Sequence, residues 1–519
     1  MALLDINVAL GRFAKNRFGF DTPADMRSEM QRLRISEALV CHALALEGDI
    51  ELGNRRLSDC LHGEPDLYPC WVMAPSVLGD LPEPSAWVAA AVAAGVRAVR
   101  AVPRHSLYSL ASWCVDPLLA ALEKAELPLL IDFGPRHWSE KTIPWTDIEA
   151  VCRRHPSLNV VVLGATVSDT RDAVPLLHSL PNLHLELHAF NPADGLPLLA
   201  RDGLASQLIF GTGLPLRAAE CVVEQTLRSG LAAAELHAIA AGNARRLLRL
   251  PARVPPPFLG SGDDPTAHTV GAVIDVHAHA GAWERTVTTV RNPDDAVRSM
   301  HRCGIHKMIL SSFAAIHGEV RTGNRQTAEW TAAYPDFLYA YAVVHPHYPA
   351  EIENELEQCF EQSTNFVGIK FHCGLHGAQL QHDGYIPALE YADAHQLPIL
   401  VHGGGQDDWE TIAGQYPKAV FIMAHACSWD GFDPAGRRLY QPAQNLENVF
   451  VDVAGSAAHH DALYALIDLV GSDKVLFGSD FPMFDLGFAL GRVARSRLSP
   501  VEKVRICGGN ALRIFRSVQ

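Results

Sequence analysis

The residues with the clearest chemical meaning lie near the start of the second half of the chain, where residues 275–279 read DVHAH. Side chains two positions apart in a β-strand lie on the same face, so His277 and His279 can both bind one metal ion. The same stretch occurs near the N-terminus, where Asn7 and Ala9 replace the two histidines. We therefore predict that a metal-binding element was duplicated and that one copy lost its ligands.

Further motifs show that the duplication extends along the whole chain. Five short motifs recur in the same order, namely 53–55 with 323–325, 65–66 with 335–336, 127–132 with 397–402, 210–215 with 477–482, and 242–244 with 509–511. A repeat of this length means that one domain is present twice. The 519 residues allow about 250 for each copy, which suits a large α/β barrel.

The differences between the copies fall on residue types that bind metals or transfer protons. The first copy has Asn7, Ala9, Asp132, Ala165 and Gly213 where the second has His277, His279, His402, His425 and Asp480. Glycines, prolines and apolar residues persist between the copies. We therefore predict that the first copy is degenerate and that the second carries the chemistry.

The domain organisation follows from composition and periodicity. We predict a degenerate barrel over 1–250, a Pro/Gly-rich linker over 251–270, and a catalytic barrel over 271–519. In the second copy, eight short apolar runs alternate with amphipathic segments, which favours parallel strands covered by helices. The predicted fold is two tandem (β/α)8 TIM-type barrels. An open doubly wound sheet is the alternative, but it does not gather ligands from strands one, five, six and eight.

Composition argues against several kinds of partner. The net charge of −15 is spread out with no Lys/Arg-rich run, so we expect binding to neither nucleic acid nor membrane. No apolar run is long enough to span a bilayer, and the N-terminus does not read as a signal peptide. The 11 cysteines are dispersed, which is typical of reduced thiols and favours a cytoplasmic protein.

The ordered set of motifs in the second copy resembles the amidohydrolase superfamily, and in particular its amidohydrolase-related ("amidohydrolase 2") branch. The motifs are His277-x-His279, a histidine after each of two later strands, GSDFP at 478–482, and the segments around 324, 334–337, 368–370 and 509–511. The resemblance covers 271–515 and, more faintly, 1–250. It implies a (β/α)8 barrel whose metal ligands are His277, His279, His402 and Asp480, with His425 as an acid/base or second-metal ligand.

Three imidazoles and one carboxylate suit a divalent metal, with Zn²⁺ preferred and Mn²⁺ or Fe²⁺ as alternatives. Such an ion lowers the pKa of a bound water and polarises a substrate carbonyl. In this mechanism Asp480 takes the proton from the water. His425 stabilises the oxyanion or protonates the leaving group.

Three further residues are candidates for a second metal or for substrate binding: Lys370, His372 and Arg325. Lys370 and His372 are two apart on the fourth strand and face the same side. In binuclear members of the superfamily a lysine at this strand is carbamylated and bridges two metals, whereas an unmodified Lys370 would bind a substrate carboxylate. We expect one metal. Arg325 could bind an anionic substrate, but Arg55 persists in the degenerate copy, so a structural ion pair is an equal interpretation.

Three classes of function fit the sequence. The first, which we prefer, is metal-dependent hydrolysis of an amide, lactone or ester bond in a small molecule. The second is non-oxidative decarboxylation or hydration of an aromatic or unsaturated acid, and the third is a non-catalytic scaffold. We further expect the two copies to form an intramolecular pseudo-dimer, since barrels of this family commonly pair.

Overall fold

A computed structural model describes residues 2–16, 18–134, 139–251, 270–363, 365–404, 406–427, 434–456 and 459–518. The chain divides into two compact units, Met1–Asn191 with Gly195–Gly260 and Pro192–Asp194 with Ser261–Gln519. The predicted linker at 251–270 lies outside the described residues except at its two ends. In the described part of the chain, no helix has both the length and the apolar character needed to cross a lipid bilayer.

The first unit is a closed parallel barrel. Its eight strands pair in chain order, and they are β1 Leu3–Leu10, β2 Ile35–His42, β3 Leu67–Met73, β4 Ala98–Ala101, β5 Leu129–Asp132, β6 Val160–Leu163, β7 Leu183–Glu186 and β8 Leu208–Ile209. The barrel closes where the backbone N–H of Ile6 donates to the carbonyl of Phe210 and where Val8 pairs with Leu214.

Helices follow the strands of the first unit, as a (β/α)8 barrel requires. The α-helices are Pro23–Arg32, Ala43–Glu47, Ile50–Cys60, Pro84–Ala93, Ser112–Ala125, Trp145–Arg154, Thr170–Ser179, Gly195–Arg201, Ala219–Leu227, Ala233–His237 and Asn243–Leu247.

The second unit repeats this architecture. Its strands also pair in chain order, and they are β9 Ile274–Ala280, β10 Lys307–Ser312, β11 Leu338–Val343, β12 Phe366–His372, β13 Pro398–His402, β14 Val420–Met423, β15 Val449–Asp452 and β16 Val475–Leu476. The barrel closes through hydrogen bonds from the N–H of Val276 to the carbonyl of Phe477 (3.0 Å) and from the N–H of His279 to that of Phe481. The prediction of two tandem (β/α)8 barrels is confirmed.

The α-helices of the second unit again alternate with its strands. They are Pro293–Cys303, Phe313–Ile316, Val320–Ala333, Pro349–Gln362, Cys373–His376, Ile386–His395, Gln406–Gln415, Pro434–Asn445, Ala462–Val470, Leu486–Ala494, Pro500–Val504 and Asn510–Ile514.

The recurring Gly-Asn pair has a structural explanation in both barrels. A Cβ atom on Gly323 would lie 2.4 Å from the backbone nitrogen of Ala315, so only glycine allows helix Val320–Ala333 to approach so closely. The buried Asn324 side chain donates to the carbonyl of Val343 and accepts from its N–H, at 3.0 and 2.9 Å. Asn54 makes the same two bonds to Val72. This pair therefore attaches each helix to the third strand of its barrel.

Candidate metal centre

Three of the predicted ligands converge in the second barrel. His277 and His279 lie on β9, and Asp480 follows β16. The Nε2 atom of His279 lies 2.9 Å from the Oδ1 atom of Asp480, and the Nε2 atom of His277 lies 3.6 Å from it. Their ligand atoms all lie within 4.8 Å of one another, and all three side chains are buried. A single divalent cation fits this set of donors.

Both histidines are held by partners on their other ring nitrogen. The Nδ1 atom of His277 lies 2.8 Å from Oδ2 of Asp452, and the Nδ1 atom of His279 lies 3.0 Å from the hydroxyl of Ser311. Such partners fix the orientation of the ring and direct Nε2 toward Asp480. The sequence analysis missed both residues. Asp452 was detectable as a carboxylate that ends an apolar strand.

The backbone is unusual at two of the predicted site residues. Asp480 and His425 have φ angles of +65° and +64°, in the left-handed region that favours glycine. The N–H of Asp480 donates to the carbonyl of His277 at 2.7 Å, which holds the carboxylate against β9. Non-glycine residues in this region are typical of functional sites, where surrounding contacts enforce the conformation.

His402 and His425 lie beside the three-ligand group. The Nε2 atom of His425 lies 3.1 Å from Nδ1 of His402, and the His425 ring centroid lies 4.7 Å from that of His277. His425 thus contacts both His277 and His402. His402 belongs to neither of the groups of close ligand atoms found among the described residues, although the resemblance implies it as a ligand.

Lys370 and His372 both lie at the site, as their shared face on β12 predicts. The Nζ atom of Lys370 lies 3.0 Å from Nε2 of His277, and its side chain is completely buried. Burial lowers the pKa of Lys370 to about 8, although Asp452 and Asp480 act in the opposite direction. His372 stacks on His402 with ring centroids 4.1 Å apart and accepts a hydrogen bond from the N–H of Leu375.

Arg325 lies elsewhere. Its side chain is exposed on helix Val320–Ala333 next to the buried Asn324, and no described contact joins it to the histidine cluster. The equivalent Arg55 is also exposed, at 3.8 Å from Glu51 one helical turn away. Within the part of the chain that the structure describes, Arg325 therefore makes no contact with the proposed site.

The electrostatics of the cluster favour the forms that bind metals. Burial, together with Lys370, lowers the pKa of His277 to about 3, so its ring is neutral at pH 7. Burial also lowers the pKa of His279. Burial alone would raise the pKa of Asp480, but His425 and His279 hold it well below its usual range. Neutral imidazoles and an ionised carboxylate are the metal-binding forms.

Aromatic side chains stand next to the cluster. The ring of Phe313 stacks on His279 with centroids 4.3 Å apart and an interplanar angle of 13°. The Trp283 centroid lies 5.9 Å from that of Phe313 and 5.5 Å from that of His317. The sequence analysis did not select these residues, because aromatic side chains after strands are usually part of the core.

A (β/α)8 barrel that gathers histidines and an aspartate at its strand ends is typical of metal-dependent enzymes. The chain belongs to the amidohydrolase family, whose model matches residues 65–250 and 274–517 and therefore both barrels. This confirms the resemblance found in the sequence. No curated protein matches the chain.

Several solved structures are similar to part of the chain. One is 5-carboxyvanillate decarboxylase from Sphingomonas paucimobilis, with 15% identity and a TM-score of 0.38, covering 47% of this chain and 99% of that one. Another is 2,6-dihydroxybenzoate decarboxylase from Rhizobium, with 18% identity and a TM-score of 0.39, covering 47% and 98%. A third is a dihydroxybenzoic acid decarboxylase from Polaromonas with bound manganese, with 18% identity and a TM-score of 0.39, covering 48% and 98%.

Proposed function

We propose that the second barrel is a metal-dependent enzyme that removes the carboxyl group of a small planar organic acid as carbon dioxide. This is the second of the reactions predicted from the sequence, where hydrolysis was preferred. The observation that carries the proposal is the position of Lys370, whose Nζ atom lies 3.0 Å from the Nε2 atom of His277.

The charges at the site favour an anionic substrate. Asp452 and Asp480 are both buried, and their two negative charges offset one divalent cation. The ammonium group of Lys370 then remains without a balancing charge in a buried environment, which is costly. A carboxylate supplies that charge, so we infer that the substrate is an acid.

The position of the Lys370 ammonium group also bears on the reaction. A lysine that only recognised a distant carboxylate would lie away from the reacting centre. Lys370 instead contacts a predicted metal ligand, so a carboxylate bound to it lies at the cluster itself. The group that Lys370 holds is therefore the group that reacts, which favours loss of carbon dioxide over hydrolysis of an amide or ester elsewhere in the molecule.

The aromatic side chains favour a planar acid. Phe313 and His279 form a buried stacked pair next to the cluster, and the half-buried Trp283 lies beside Phe313. A flat ring stacks favourably on an indole such as that of Trp283. An aromatic or conjugated carboxylic acid is the class of substrate that combines a flat ring with a reactive carboxylate.

The roles of the residues follow from this placement. His277, His279 and Asp480 would hold the cation, with Zn²⁺ preferred and Mn²⁺ or Fe²⁺ as alternatives, and His402 is a further candidate ligand. The bound cation would supply Lewis-acid polarisation of a substrate oxygen. When the bond to the carboxyl carbon breaks, its electron pair stays on the ring carbon, which then takes a proton. His425 is the proposed donor, because it lies beside both His277 and His402.

Hydrolysis at a two-metal site is the second candidate. Burial lowers the pKa of Lys370 to about 8, which leaves a fraction of neutral amine that carbon dioxide can carbamylate. His277, His425 and Asp452 also have ligand atoms within 4.8 Å of one another. A carbamylated Lys370 would then be a ligand, and metal-activated water would attack an ester, lactone or amide.

The two candidates are separated by the products. The full chain, loaded with Zn²⁺ or Mn²⁺, is incubated in ¹⁸O-labelled water with 2,6-dihydroxybenzoate and with its methyl ester. We expect carbon dioxide and resorcinol from the acid. We expect no hydrolysis of the ester, so no ¹⁸O-labelled 2,6-dihydroxybenzoate should form from it.

A matched pair of variants tests the lysine. Lys370→Met should abolish carbon dioxide release. Lys307→Met should retain it, because Lys307 begins β10 at the opposite end of the barrel and binds the hydroxyl of Tyr339. Ester hydrolysis without decarboxylation, or an unchanged rate for Lys370→Met, would refute the proposal.

A further inference from the structure

The first barrel carries a buried polar cluster where the second has its candidate metal centre. Arg100 on β4 occupies the position of Lys370. It donates one hydrogen bond to Oδ1 of Asn7, at 3.0 Å, and two to Oδ2 of Asp132, at 2.5 and 3.2 Å. Asn7 and Asp132 stand where His277 and His402 stand in the other copy. The lost metal ligands have therefore been replaced by a hydrogen-bonded ion pair.

A second pair completes this cluster. The Nδ1 atom of His188 lies 2.5 Å from Oε2 of Glu186 and 3.2 Å from Nδ2 of Asn7. Glu186 is completely buried at the end of β7, the position that Asp452 occupies in the second barrel. Both carboxylates of the cluster, Asp132 and Glu186, therefore already have partners.

The side chain of Arg217 lies against Gly213, the residue that replaces the ligand aspartate of the other barrel. A Cβ atom on Gly213, the residue equivalent to Asp480, would lie 2.9 Å from Cγ of Arg217 and 3.2 Å from Cδ2 of His188. The position of Arg217 corresponds to the buried Phe484 in the second copy. An arginine has thus been introduced next to the position where the aspartate is missing.

The guanidinium of Arg217 is unpaired within the described residues, where it has neither a hydrogen bond nor an ion pair. The residue is only partly exposed, and it is close enough to Asp132 to interact with it electrostatically. Burial lowers the pKa of Arg217 while Asp132 opposes the change. Withdrawing an unpaired cation from water costs free energy, which a bound anion would recover.

We propose that Arg217 and its neighbours in the first barrel bind the carboxylate of a small organic acid without any metal. A guanidinium offers two parallel N–H donors that match a carboxylate. The amide of Asn7 and the ring of His188 lie within the same cluster and supply further polar contacts. Asp132 and Glu186 are negatively charged neighbours, so a monoanion is favoured over a dianion such as sulfate. The site concerns the first barrel alone and does not depend on the function proposed for the second.

The test is equilibrium binding of ¹⁴C-benzoate to the full chain. The Lys370→Met background removes the carboxylate-binding lysine proposed for the second barrel. We expect this chain to bind one benzoate, and the added Arg217→Ala change to weaken binding at least tenfold. Arg104→Ala is the matched control, because Arg104 is exposed and follows β4 in the same barrel. It should leave binding unchanged, and inorganic sulfate should not compete.

Thermal unfolding distinguishes a lost site from a lost fold. Benzoate should raise the midpoint temperature of thermal unfolding of the Lys370→Met chain, since a ligand that binds only the folded state stabilises it. The Arg217→Ala chain should unfold at an equal or higher temperature without benzoate and show no shift with it. Benzoate binding that survives Arg217→Ala, or sulfate that competes equally well, would overturn the proposal.

Discussion

The Nδ1 atom of His277 lies 2.8 Å from the Oδ2 atom of Asp452, and both side chains are completely buried. The other carboxylate oxygen of Asp452 accepts hydrogen bonds from the N–H groups of His425 and Ala454, at 2.9 and 3.0 Å. One carboxylate therefore orients a predicted metal ligand and the backbone of the predicted proton donor. In the first barrel, Glu186 occupies this position and contacts His188 instead.

This relationship predicts that Asp452→Asn weakens metal binding without removing a ligand. Loss of such a partner typically lowers metal affinity by about 10- to 100-fold. Competition with a chelator of known affinity measures the change. Glu186→Gln is the matched control in the first barrel and should leave metal affinity unchanged. Equal affinities for wild type and Asp452→Asn would contradict the proposed role.

We also expect metal to bind only in the second barrel. Among the described residues, groups of three close ligand atoms occur there and not in the first barrel. Elemental analysis of the full chain should find metal that is lost with His279→Ala. His188→Ala should not change the metal content. Asp480→Asn removes the negative charge of a proposed metal ligand and should abolish turnover. Metal retained in full by His279→Ala would place the ion elsewhere.

The Lys370 ammonium predicts how activity depends on pH. Its pKa is lowered from 10.5 to about 8, so the lysine is charged below about pH 8 and neutral above it. Since the charged form binds the substrate carboxylate, kcat/KM should fall as the pH rises through about 8. A bound metal ion lowers the pKa of Lys370 further and moves this fall to lower pH. Lys370→Arg should move this falling limb to higher pH. A carbamylated lysine predicts the opposite, because activity would rise with pH and with added bicarbonate.

The two copies allow a matched test of the Gly-Asn motif. Asn324→Ala leaves the buried N–H and carbonyl of Val343 without their partners, and each such group costs about 1–3 kcal/mol. We expect urea unfolding to show that Asn324→Ala lowers the free energy of unfolding by about 1–3 kcal/mol for each of these two groups. Asn54→Ala should show it too, because it makes the same bonds to Val72. Exposed Arg325→Ala should change stability by less than about 0.5 kcal/mol. A larger loss for Arg325→Ala would show a contact outside those described.

Repetition and periodicity were readable from the sequence. Motifs recurring in order identified the duplication, and apolar runs spaced by helical segments identified two (β/α)8 barrels. The convergence of His277, His279 and Asp480 was also predictable. Parallel strands bring their carboxyl ends to one face of the barrel, and a strand directs residues two apart to the same side.

The remaining features depend on the position of each side chain in the tertiary structure. The sequence analysis selected both Arg325 and Lys370 as candidates. The structure exposes Arg325 on its helix, whereas β12 brings Lys370 to within 3.0 Å of His277. Asp452 orients the ring of His277, which is 175 residues away in the sequence. Arg217 packs against Gly213. Comparison of the two copies shows only that an aspartate is missing at Gly213 and does not show that Arg217 lies there. Sequence spacing determined which residues reach the barrel face, whereas side-chain packing decided which of them meet and which empty positions were filled.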